Sequence, residues 1–172
     1  MVYTIKKGNH YNFHLPRFHF GKRNIFFKFK LDSSCSYLIL DNDRFDINKI
    51  YGIGWGNHLS NSFRIGYNCI SKDRFQIYAF WHNYGLIHFK PLITCTINQW
   101  VTCNISFLYD ESRILGYVGK EPIKEDMEDL GEIGNIDINF VYPDIKWGYW
   151  LYPYFGGNKT ALHDTKIEIK NL

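Results

Sequence analysis

"RFQIYAFWH", residues 74–82, alternates without a break. Phe75, Ile77, Ala79 and Trp81 fall on one side of an extended chain, and Gln76, Tyr78, Phe80 and His82 on the other. A helix would scatter these side chains round its circumference, whereas a strand sorts them into two faces. The same period of two runs outward from this stretch. Upstream lie "VYTIK" (2–6), "NIFFKFKL" (24–31), "INKIYGIGWG" (47–56) and "SFRIGYN" (62–68). Downstream lie "LIHFKPLITCTI" (86–97), "WVTCNISFLY" (100–109), "RILGYVG" (113–119), "NIDINFVY" (135–142), "GYWLYPYF" (148–155) and "TKIEIKNL" (165–172). Turn residues divide the runs at "SKD" (71–73), "HNYG" (82–85), "TINQ" (96–99), "YDES" (109–112) and "FGGNK" (155–159). Short strands parted by regular turns predict a sandwich. Only "EPIKEDMEDLGE" (121–132) could be helical, with Pro122 at a helix start, and a surface loop with one helical turn is expected there.

The first and last runs are short, alternating and rich in lysine. Pairing them would close the fold and place charged residues on a sheet edge, where they oppose aggregation. The sequence therefore predicts an all-β, single-domain antiparallel β-sandwich of jelly-roll type over residues 1–172. Residues 1–20 are read as an N-terminal arm able to contact a partner. The 172-residue length suits one domain with a real core. Aromatics reach 19%, which agrees with strand preference and also suits contact with sugars or proteins.

Net charge is only +3, and no basic run tracks a phosphate backbone, so nucleic acid is not an expected partner. No stretch approaches the roughly 18 apolar residues of a membrane span. "MVYTIKKGNHYNF" has no apolar h-region, so no signal peptide is expected. Cys35, Cys69, Cys95 and Cys103 match no zinc spacing and are read as buried free thiols. No cofactor and no metal site is expected.

"INKIYGIGWGNHLSNSFRIGYN", followed by "RFQIYAFWHNYG" and "GYWLYPYFGGNKTALHD", resembles a family of small concanavalin-A-like jelly-roll proteins from gut Bacteroidetes and their crAss-like phages. The matching positions include Asn48, Lys49, Gly52, Gly56, His58, Asn61, Ser62, Arg64, Gly66 and Tyr67. Later matches are Tyr78, Ala79, Gly85, Pro153 to Asn158, Ala161, His163 and Asp164, with Leu162 where the family pattern has Pro. The resemblance implies the jelly roll and, for phage members, a place on the virion after synthesis in the host bacterial cytoplasm.

Retaining jelly-roll glycosidases need two carboxylates about 5 Å apart. Glu121 with Glu125, or Glu128 with Glu132, has a suitable spacing, but the run shows no strand alternation and reads as a solvated loop. Jelly-roll polysaccharide lyases neutralise a uronate and move a proton with Arg, Gln, His and Tyr on a concave sheet. Against their pattern "DIKWGYW" keeps Lys146 and Gly148, but Asp144 and Trp150 replace both tyrosines. Gln76-Ile77-Tyr78 stands where they carry Gln-Ile-His.

His58, Arg64, His163 and Asp164 make the best polar constellation. One reading makes it a sugar or metal site. The other makes His58 and Asp164 loop anchors and pairs Arg64 with a carboxylate across strands. His10, His14 and His19 alternate with aromatics in the arm and suit packing on a partner. Both faces of "RFQIYAFWH" are apolar or aromatic. In "GYWLYPYF" the set Tyr149, Leu151, Pro153, Phe155 opposes Trp150, Tyr152, Tyr154. A strand apolar on both sides is covered on both sides, so a loop, a protein or a glycan covers the second face. The candidate contact residues are Trp55, His58, Arg64, Tyr78, Phe80, His82, Trp147, Trp150, Tyr152, Tyr154, His163 and Asp164. The function expected is that of a non-enzymatic virion structural protein. It would decorate a capsid or head fibre, with other virion proteins as partners and itself as a homo-oligomer, a dimer above all. The alternative is a lectin-like module for a host glycan, and after it a degenerate lyase.

Overall fold

The computed structural model describes residues 1–37, 46–121, 132–145 and 147–172. Among these residues twelve strands follow one another: β1 (Val2–Ile5), β2 (Phe18–Phe20), β3 (Asn24–Leu31), β4 (Asn48–Trp55), β5 (Ser62–Ser71), β6 (Arg74–Asn83), β7 (Leu86–Thr96), β8 (Trp100–Leu108), β9 (Arg113–Lys120), β10 (Ile133–Asn139), β11 (Trp147–Leu151) and β12 (Thr165–Asn171). They form two antiparallel six-stranded sheets. The order is β1-β12-β3-β8-β9-β10 in the first and β2-β11-β4-β5-β6-β7 in the second.

The topology is a jelly roll. β3 lies beside β12 in one sheet, and β4 beside β11 in the other. Consecutive strands β3 and β4 therefore lie in different sheets, as do β11 and β12. β1 against β12 and β2 against β11 repeat the move one strand further out. The expected pairing of the first and last strands is present, with Tyr3 opposite Ile167.

Alternation puts one face of each sheet into a common core. From the first sheet come Ile25, Phe27, Phe29, Val101, Ile105 and Phe107; from the second come Tyr51, Ile53, Trp55, Phe63, Ile65, Phe75 and Ile77. Rings meet edge to face across the layers, as Phe27 does with Tyr51 at 5.0 Å and Phe63 with Phe107 at 6.1 Å. Cys35, Cys95 and Cys103 are buried and free, and Cys69 is free and half-buried. Burial pushes the Cys35 and Cys95 thiols up to about 12, where they are poor nucleophiles. The outer face of the first sheet is a salt-bridged surface, with Lys28 on Glu121 and Lys30 on Glu168.

Two expectations change. The arm is part of the sandwich. Phe18–Phe20 pairs with β11, and His10, His14 and His19 pack on Tyr154, Tyr152 and Trp150 of the same chain. The aromatic tail also splits its faces differently. Pairing lapses at Tyr152 and Pro153 and resumes where Tyr154 bridges Lys49, opposite a bulge that makes Ile50 the extra residue of β4. Pro153 thus sits where no ladder donor is needed. Trp150 and Tyr152 pack on the core side with Tyr51, whereas Tyr154 joins Lys49 on the outside. The predicted helical turn at 121–132 and Lys146 lie outside the described residues, apart from Glu121 and Glu132. Glu121 binds Lys28 and Thr102, and Glu132 lies by Lys120.

Candidate functional site

The register of the second sheet sets out its outer face as three rows. Tyr149, Gly54, Ser62, His82 and Ile87 form the first row. The second is Leu151, Gly52, Arg64, Phe80 and Phe89, and the third is Tyr154, Lys49, Gly66, Tyr78 and Pro91. Gly66 decides what the floor looks like. A Cβ there would come 2.5 Å from Ile47 Cγ2. The Ile47 side chain occupies the place over Gly66, and beside it the Lys49 ammonium lies 4.4 Å from the centre of the Phe80 ring. Phe80 and His82 are buried on this outer face by such neighbours, and their rings meet at 5.3 Å. The second face of "RFQIYAFWH" is thus covered in part by the cations of β4 and β5.

Two histidines are fixed by hydroxyls. Ser62 Oγ donates to the His58 carbonyl at 2.7 Å, so the 3.2 Å contact with His82 Nδ1 is donated by the imidazole. The Tyr149 hydroxyl accepts the His58 backbone N–H at 3.2 Å and donates to His58 Nδ1 at 2.9 Å. Both rings therefore keep one nitrogen outside these bonds.

The electrostatics are one-sided. Arg64 is only 6% exposed, and its Nε has no hydrogen-bond partner. Burial lowers its pKa to about 10, and the charges acting on it the other way are the phenols of Tyr149 and Tyr154. Burial, then the Arg64 charge, bring Lys49 down to about 8, with Asp46 opposing. Burial first and then Arg64, Lys49, His58 and His88 bring His82 down to about 4. His58 is lowered by burial and Arg64. At neutral pH the site holds two cations and two neutral imidazoles.

A pH dependence follows. His82 stays neutral in the fold while an unfolded histidine takes up a proton near pH 6.5. Stability should therefore fall as pH drops from about 6.5 to about 4. His82→Gln should remove about 1 kcal/mol of that loss, read from urea midpoints at pH 7 and 4.5. An unchanged slope would refute it.

The structure brings His58, Arg64, Tyr78, Phe80, His82 and Tyr154 onto this face. It does not bring His163 or Asp164 there. His163 Nε2 contacts the Ser34 carbonyl at 2.7 Å, and Asp164 binds Lys6 Nζ at 2.7 Å and the Lys7 N–H at 3.0 Å. Asp164 ties its loop to the start of the chain, which is the anchoring role weighed for it, and His163 ties the same loop to the turn after β3. Among the described residues Arg64 pairs with no carboxylate across strands, because its neighbours there are Gly52 and Phe80. Trp55 is a core residue at 1% exposure. Trp150 turns to the core through the alternation of β11, and Tyr152, just past its end, packs on the same Tyr51. Trp147 is exposed at the end of β11, 6.4 Å from Tyr149. Lys49, Ser62 and Tyr149 belong to the site and were not singled out. The available signal was Lys49 as the one charge in the apolar run "INKIYGIGWG".

No protein-family model and no curated protein matches the chain. Among the similar solved structures is the CBM2 module of the evolved Dit of Lactobacillus casei BL23 phage J-1. It is 9% identical, covering 98% of this chain and 75% of that one at a TM-score of 0.43.

Proposed function

We propose that the protein is a non-enzymatic glycan-binding module whose outer second-sheet face holds the saccharide. One observation carries this reading. Tyr78, Phe89, Tyr149 and Tyr154 surround a floor of Arg64, Lys49 and two neutral imidazoles on one continuous face. Ring faces stack on the apolar side of a pyranose, and imidazoles, guanidinium and phenols hydrogen-bond its hydroxyls. A virion setting comes from the family resemblance. The test is a glycan array that includes capsular polysaccharides of gut Bacteroidetes. Selective binding is expected, with Tyr78→Ala weakening it about tenfold. A blank array would sink the idea. Unsaturated-product absorbance on incubation with polyuronates would overturn the non-enzymatic reading.

A second reading, attachment to other virion proteins or to a second copy, draws on a separate feature. Phe13, Leu15, Phe18 and Phe20 are 84%, 78%, 58% and 80% exposed along the N-terminal segment. Native mass spectrometry of the protein alone and with virions tests it. A monomer that never associates would count against it.

A further inference from the structure

We propose, resting on the glycan reading, that Arg64 and Lys49 form a subsite for the carboxylate of an acidic sugar, a hexuronic acid. Burying a guanidinium without a counter-charge is expensive, and native proteins tolerate it where something supplies the anion. Arg64 is in that position. Its Nε is buried and has no hydrogen-bond partner. Lys49 adds a second positive charge that acts with Arg64 on His82, and among the described residues Asp46 is the carboxylate that acts on Lys49.

The neighbours narrow the ligand further. Gly52, opposite Arg64 in the register, puts no side chain beside the guanidinium, while the Ile47 side chain lies against Gly66. A planar guanidinium offers paired donors that match the two oxygens of a carboxylate. Two cations in a small aromatic setting do not make a track for a polyphosphate. Phe89 is exposed in the same row as Arg64 and Tyr78 lies one row away, so a ring carrying the carboxylate would have apolar surface to rest on. The imidazoles of His58 and His82 are neutral and suit hydroxyls rather than a second anion.

The experiment is calorimetric titration of the full chain with oligomers of galacturonate, glucuronate, mannuronate and guluronate. Each is run beside its carboxyl-reduced, neutral counterpart. At least one acidic oligomer is expected to bind more tightly than its reduced form. Arg64→Gln should weaken that binding about 30-fold or more, while affinity for the reduced form barely moves. Lys49→Met gives a second, smaller loss and serves if Arg64→Gln does not fold, which its melting curve reports. Equal affinity for acidic and reduced forms, or no change in either variant, would overturn the carboxylate subsite and leave glycan binding standing. Binding only to neutral glycans on the array would do the same. No saccharide bound in any arm would overturn both.

Discussion

Gly52→Ala is expected to destabilise the sandwich by about 3 kcal/mol or more and to leave little folded protein at 37 °C. Gly52 sits in the middle of β4, opposite Arg64 of β5. A Cβ placed there would overlap the Phe63 carbonyl oxygen and stand 2.7 Å from Arg64 Cα. Both obstacles are backbone, so no rotamer change can relieve them. The strands would have to separate, and their pairing carries Tyr51, Ile53, Phe63 and Ile65 into the core. Gly85→Ala supplies the comparison. Gly85 lies in the two-residue turn between β6 and β7 with φ of 79°, and nothing is within 4 Å of a Cβ there. That change should cost about 1 kcal/mol, the penalty of the left-handed conformation alone. Urea unfolding of the two variants separates close approach from conformational strain. Equal small losses would show that β4 and β5 can part freely.

How far the sequence could be read depends on what each feature requires. Strand existence needs only local alternation, and "RFQIYAFWH" and "SFRIGYN" display it in full. The pairing of β1 with β12 was legible because both runs carry the lysines of an edge. The short strand Phe18–Phe20 was not, since three residues hold too little period to distinguish a strand from an arm. The site was half legible. Arg64, Phe80 and His82 share a parity that any alternating strand reveals. Lys49 and Tyr154 reach the same face only through the bulge at Ile50 and the break at Pro153. Parity counted straight through those irregularities sets Trp150 and Tyr152 beside Tyr154, and the bulge separates them. His163 and Asp164 looked like members of the site because polar residues clustered in sequence. Their contacts are with Ser34 and Lys6, more than a hundred residues away.

Trp55 separates core from binding surface most sharply. Its ring packs against Phe107, Phe140 and Tyr142 at 5.5, 5.2 and 5.4 Å, and its Nε1 donates to the Tyr109 hydroxyl at 3.3 Å. That hydroxyl donates in turn to the Lys22 carbonyl at 2.9 Å. Trp55 therefore joins β4 of the second sheet to β8 of the first and to the segments after β8 and β10. Trp55→Ala should cost about 3–5 kcal/mol through the cavity it opens, which is a large share of the stability of a domain this size. Trp55→Phe should cost about 1–2 kcal/mol, because the ring stack survives and only volume and one hydrogen bond are lost. The decisive measurement is binding by the folded Trp55→Phe protein. Trp55 points to the opposite side of β4 from Gly52 and Gly54, and so away from Arg64 and Phe80. Glycan affinity should then match that of the parent while the melting temperature falls. A variant that melts normally but loses its saccharide would place the binding surface elsewhere than on the outer face of the second sheet.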